Sequence, residues 1–115
     1  MVDPDGGLLR GTLDVLILKA LTWGPRHGYE VAEWVKAVTD AELLLEEGPL
    51  YTALHRLERK GWLTAEWGLS ENKRRAKYYA LSTAGRRQLH TETSAWERYV
   101  RAVGKALAAT TPLAT

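Results

Sequence analysis

Cysteine is absent from the 115 residues. That removes disulfides, thiolate nucleophiles and Cys-based metal sites, and it fits a reducing compartment. Long apolar runs are missing too. No stretch approaches the ~20 residues that a spanning helix needs. Met1 to Gly7 carries acids and glycines where an export signal would be basic and then apolar. The expectation is a cytoplasmic protein with no membrane partner. Nor does charge of one sign dominate: 16 Lys and Arg face 14 Asp and Glu, for a formal +2 and a pI near 9.0. Bulk charge therefore names no partner. The three histidines, His27, His55 and His90, fall in different elements with no i, i+4 pair, so no metal is expected. There is no Gly-rich phosphate loop, no Ser or Cys nucleophile motif, and no carboxylate pair outside a polar link. These absences argue against an enzyme and against a cofactor.

What is present is enough for one small domain: 45% of the residues are hydrophobic, with no low-complexity run. After a short tail, Met1 to Gly7, a first helix is expected from Leu8 to Trp23. Leu9, Leu13, Leu16, Ile17, Ala20 and Leu21 form a broad apolar face, and Val15 and Leu18 extend it to other sides. Such a helix needs more than one neighbour, and the excess fits a second subunit. Trp23-Gly24-Pro25 stops it. A second helix beginning near His27 would turn Val31, Trp34, Val35 and Val38 to the core. Asp40 to Glu47 is an acidic link in which Leu43-Leu44-Leu45 reads as a short extended segment pairing beside a hairpin.

The densest pattern lies between Gly48 and Lys77. Pro49 suits the first turn of a helix, with its φ already set and its missing N–H no loss there. Leu50, Ala53, Leu54 and Leu57 then share one helical face, while Thr52, His55 and Arg59 lie opposite, flanked by Tyr51 and Arg56. Gly61 ends the helix. Trp62 to Trp67 has the aromatic and Thr content of a strand, Gly68 to Asn72 a turn, and Tyr78 to Leu81 a return strand. Lys73, Arg74, Arg75 and Lys77 between them are the densest basic cluster. An amphipathic helix followed by a basic hairpin describes a winged helix, the cluster being placed as a wing meets a phosphate backbone. On these residues alone, a solvated helix face and a wing charged for solubility remain open. Trp34 and Trp62 read as packing, and Trp67 as scaffolding at the hairpin bend.

Ser82-Thr83 offers an N-cap, and a long helix follows to about Ala109, before a tail over residues 110–115. Its stripe is Leu89, Trp96, Val100, Val103 and Leu107, with Thr93 and Tyr99 filling in. The spacings of seven, four, three and four are heptad-like. With charges held off the stripe, the simplest partner is a second copy. The fold class expected is mainly α with a small β-hairpin: a winged helix-turn-helix domain over residues 8–82 and a dimerisation helix over 83–109.

Three motifs in order, His27-Gly28-Tyr29-Glu30, Gly48 to Leu63 and Arg74 to Gly85, resemble the PadR family of bacterial transcription regulators. The resemblance runs from about Leu9 through the last helix. It implies a dimeric winged-helix repressor of the compact kind, acting on double-stranded DNA at a palindromic operator. The implied DNA-binding set is Tyr29 as a backbone contact, Pro49, Tyr51, Thr52, His55 and Arg56 on the reading helix, and Lys73, Arg74, Arg75 and Lys77 on the wing. It further implies an aromatic-lined cavity for a planar small molecule near the dimer axis. Trp96 is its candidate centre, with Leu9, Leu13 and Val100 as walls, and dimer packing is the competing reading of Trp96. Two other functions stay open: a winged-helix module that binds protein, and a DNA-binding regulator with no ligand.

Overall fold

The computed structural model describes residues 11–113. The expected tail, the helix start at Leu8 and the candidate Leu9 lie outside them. The elements are α1 (Thr12–Ala20), β1 (Arg26–His27), α2 (Gly28–Val38), α3 (Glu47–Arg59), β2 (Leu63–Leu69), β3 (Arg75–Leu81) and α4 (Thr83–Ala108). The fold is mainly α with a small sheet, as expected.

The core is one cluster. α1 contributes Leu13, Ile17 and Leu18, with Leu21 at its C-cap, α2 contributes Val31, and α3 contributes Leu50, Ala53, Leu54 and Leu57; Leu63 and Tyr79 close it from the sheet. α1 touches α2, α3 and α4 of its own chain, so much of the burial that suggested a second subunit is supplied within the protomer, with Val15 and Leu16 half-buried. Trp34 and Trp62 pack against the same cluster, as does Leu89 of α4. Val38 does not. It is the last residue of α2 and 55% exposed, because the chain turns away there through Asp40 and Ala41, both at positive φ.

The hairpin is one strand short of the whole sheet. β3 pairs antiparallel with β2 on one edge and with β1 on the other, in the order β1-β3-β2. The edge proposed for Leu43-Leu44-Leu45 is therefore taken by Arg26 and His27. The leucine segment forms no strand; Leu43 is tethered back to Thr39 Oγ1, Leu45 packs on the core and Leu44 faces solvent. Both strands also reach further than expected, and the turn shifts to Ser70–Arg74, so Gly68 and Trp67 lie inside β2 and Arg75 and Lys77 inside β3.

α4 is rooted at its first turn. Ser82 Oγ accepts the Gly85 N–H at 3.0 Å and donates to the Gly61 carbonyl at 2.6 Å, while the Ser82 N–H donates to the Trp62 carbonyl at 3.1 Å. Gly85 allows this approach, since a Cβ there would collide with the Trp62 carbonyl oxygen and crowd Leu81. Elsewhere in a helix, Gly to Ala stabilises by ~1 kcal/mol. Here the sign reverses: Gly85→Ala should lower stability by about 1–3 kcal/mol through overpacking, read from the urea midpoint. An unchanged or raised midpoint would show that α4 sits further from Trp62 than described.

Candidate nucleic-acid interface

α3 presents two faces set by its sequence. Leu50, Ala53, Leu54 and Leu57 are buried, and Tyr51, Thr52, His55 and Arg59 are exposed. The helix starts one residue before the expected Gly48, at Glu47, which leaves Pro49 in the first turn where no intrahelical N–H bond is lost. Its end is a Schellman motif: the Gly61 N–H donates to Glu58 O and the Trp62 N–H to Leu57 O, with Gly61 at φ 80°. The chain leaves directly into β2, so the wing emerges at a fixed angle from α3.

The start of α2 stands alongside. His27 caps it: His27 Nδ1 accepts the Glu30 N–H at 3.3 Å, and Glu30 Oε1 accepts the His27 N–H at 3.2 Å. Because β1 ends at His27, this capping box is bonded into the sheet opposite Tyr78, whose ring meets the imidazole edge-on at 5.3 Å. Gly28 follows, and a Cβ on it would lie 2.7 Å from the Tyr51 ring. The missing side chain lets α3 close on α2 and holds Tyr51 against the motif. Tyr29 projects outward, 67% exposed.

The wing is stiffened on both faces. On one, the Tyr78 ring lies across Gly68 and its hydroxyl donates to Leu69 O at 3.1 Å. On the other, the Arg75 guanidinium carbon sits 4.4 Å from the centre of the Trp67 ring. The turn is closed by Lys73 N–H to Ser70 O and Ser70 N–H to Arg74 O, each 2.8 Å, with Lys73 in the left-handed region at φ 58°. Between wing, Tyr51 and the α2 start lies a cleft of about 610 Å³ lined by Tyr29, Arg74 and Arg75 among others.

The expected contact residues thus separate into groups. Tyr29, Tyr51, Arg74, Arg75 and Lys77 all border one cleft, with Thr52 and His55 outward on α3 and Lys73 at the wing tip. Arg56 and Lys77 also carry structural duties. Arg56 makes a two-pronged bond to Asp14 of α1, Nη1 to Oδ2 at 2.8 Å and Nη2 to Oδ1 at 2.6 Å. Lys77 Nζ donates to Glu58 at 3.0 Å, bracing the wing against α3. Sequence reasoning missed Asp14 and Glu58, partners 42 and 19 residues away that no local spacing reveals. The ligand candidates are scattered: Leu13 is in the protomer's core, whereas Trp96 and Val100 lie out on α4. Among the described residues no group of His, Cys, Asp or Glu is arranged to hold a metal, and no helix is long and apolar enough to cross a membrane.

A reading helix, a three-stranded sheet and a basic hairpin define a winged-helix protein of the nucleic-acid-binding kind. Residues 17–91 match the transcriptional regulator PadR-like family. The chain superposes on a transcriptional regulator from Clostridium thermocellum with a TM-score of 0.76 at 31% identity, over 84% of this chain and 93% of that one. A PadR family regulator from Eggerthella lenta gives 0.70 at 35% identity, over 88% and 86%. One from Clostridium difficile gives 0.71 at 29%, over 85% and 100%. The chain belongs to the PadR-like family and is, with it, a DNA-binding transcriptional regulator.

The brace between wing and reading helix has a pH signature. The hydrogen bond to Glu58 holds Lys77 above its ordinary value of 10.5, against a lowering by partial burial. Burial pushes Tyr79 above its ordinary 10.0, with the Lys77 charge pulling the other way. Both groups bind their protons more tightly folded than unfolded. Their stabilisation is complete below about pH 10 and is lost as pH climbs through the folded values. Urea midpoints should therefore fall in the alkaline range, and fall less in Glu58→Gln, which removes a raising influence from both groups. The same slope in both proteins would mean that the Glu58–Lys77 pair contributes nothing.

Proposed function

We propose that the chain is a homodimeric repressor that binds a palindromic operator, α3 entering the major groove and the wing holding the adjacent backbone or minor groove. The observation that carries this reading is the outward α3 face of Tyr51, Thr52 and His55 set beside a wing tip with Lys73, Arg74 and Arg75 exposed. Thr52 and His55, with Tyr51 alongside, read bases, while Tyr29 and Pro49 at the helix starts lie against phosphate. Arg56 and Lys77 serve chiefly as braces, each already bonded to a carboxylate. Repression itself rests on the resemblance to the family. The protein works in the cytoplasm, where DNA is accessible, and no reaction is assigned to it. Two-fold symmetry places the half-sites about one helical turn, roughly 34 Å, or a multiple apart.

Arg74→Ala should weaken binding to all duplexes alike and flatten the dependence of log K on log salt by about one unit, as one phosphate contact is lost. His55→Ala should change sequence preference. Equal losses on selected and random duplexes for His55→Ala would remove it from base reading. Binding that ignores salt would favour the protein-binding module instead.

In function the chain divides at Ser82, with residues 8–82 reading DNA and 83–109 joining the copies. Support comes from α4, where Tyr99, Val100, Val103 and Leu107 all face solvent in the protomer, Leu107 at 82% exposure. Leu89 is partly buried against the protomer's own core, so the exposed part of the seam begins near Trp96. Trp96 and Tyr99, ring centres 6.2 Å apart, supply an aromatic pair on that seam, where a planar ligand would stack beside Val100. Leu13, buried in the core, is not carried into this site, and Leu9 lies outside the described residues. Val103→Glu with Leu107→Glu should give a monomer by sedimentation. Trp96→Ala should still dimerise yet lose the fluorescence response to planar aromatics. A dimer in the first case, or parental ligand affinity in the second, would remove that half of the reading.

A further inference from the structure

The four wing cations are not equivalent. Lys77 is tied to Glu58, and Lys73 and Arg74 stand in the turn itself as exposed charges suited to phosphate. Arg75 differs from all three. Its guanidinium lies over the Trp67 indole at 4.4 Å, on the strand face that Trp67 and Leu69 share. Trp67 is 60% exposed and Leu69 71%, so this apolar surface is left open toward whatever the wing meets. The register explains the stack: Leu69 faces Arg75 and Trp67 faces Lys77, which puts Trp67 diagonal to Arg75 across the hairpin.

A stacked guanidinium keeps its edge donors but gives up rotational freedom and part of its hydration. A phosphate contact needs neither the fixed plane nor the dry face beneath it, because a point charge serves as well. A slot does need them. The minor groove is only about 6 Å wide, and where A·T tracts narrow it further its deepened negative potential draws arginine. Its walls are sugar rings, for which exposed indole and leucine surfaces are suitable neighbours.

We propose that Arg75, held flat by Trp67, is the residue with which the wing reads an A·T-rich minor groove flanking each half-site. Trp67 is the positioning residue. The inference rests on the reading that α3 and the wing bind DNA together, and it adds a specificity that the charge cluster alone would not have.

The test starts from duplexes selected by the full-length protein out of a random library. Two versions of the best duplex are compared, alike in their half-sites but flanked by A·T or by G·C pairs. The parent should prefer the A·T flanks by about tenfold, the scale of a base-pair substitution in a specific site. Arg75→Lys should bring that ratio near one while keeping the salt slope, since the charge is retained. Trp67→Ala should do the same with charge and Arg75 both present, and Trp67→Phe should restore most of the preference. A parental ratio in Trp67→Ala or Arg75→Lys overturns the proposal, as does a parent that selects half-sites without any flank preference. A parent that selects no sequence at all would instead overturn the DNA reading beneath it.

Discussion

Everything at the interface is referred to β3, because its backbone is bonded on both edges. Through Arg26 and His27 it fixes where α2 begins, and through Leu63 to Leu69 it carries the outgoing arm of the wing. Tyr79, buried in the middle of β3, plugs the strand into the helical core, and Lys77 reaches across to Glu58 of α3. A strand bonded on one edge only would leave the wing free to swing. Paired on both, it holds the α2 start, the reading helix and the basic turn in one frame, which is what recognition of a stiff duplex requires.

The helical half of this arrangement was open to sequence reasoning because periodicity reports burial. Leu50, Ala53, Leu54 and Leu57 are the inward face of α3, Gly61 closes that helix, and Ser82 caps α4. The sheet was only half legible. Two residues, Arg26 and His27, are too few for any alternation to show, and the apolar Leu43-Leu44-Leu45 drew the missing strand to the wrong place. Taking Gly68 for part of the turn hid the diagonal of Trp67 and Arg75, since that relation depends on centring the hairpin at Asn72. The glycine is there for a different reason, as the floor under the Tyr78 ring. Asp14 and Glu58 were invisible for a physical cause as well: ion pairs between elements depend on tertiary placement, and a charge on a helix flank looks the same paired or solvated.

Two of the expected DNA-facing cations therefore carry a second duty. Arg56 joins the reading helix to α1, and Lys77 joins it to the wing, each through a carboxylate. This partition explains how a chain with a formal charge of only +2 can present a concentrated positive tip. Asp14, Glu30 and Glu58 are used to orient elements, further acids gather in the α2 to α3 link, and at the far end of the hairpin Lys73, Arg74 and Arg75 outnumber Glu71. Local potential, and not the total, is what a polyanion encounters.

The anchoring of α4 at Gly85 has a mechanical consequence. A helix of 26 residues is a rod of roughly 39 Å, and it is clamped at one end to the Trp62 carbonyl, the residue just before the wing begins. A tilt of about 5° at the clamp displaces the other end of such a rod by about 3 Å. If two rods are joined along their distal halves, the proposed arrangement, the gain runs the other way, and a slight splaying at the seam swings each reading head through ångströms. The joint without a side chain then acts as the stiff fulcrum of a long-armed gauge. Any slack introduced there would blur the distance between the two heads before it altered a single contact with DNA.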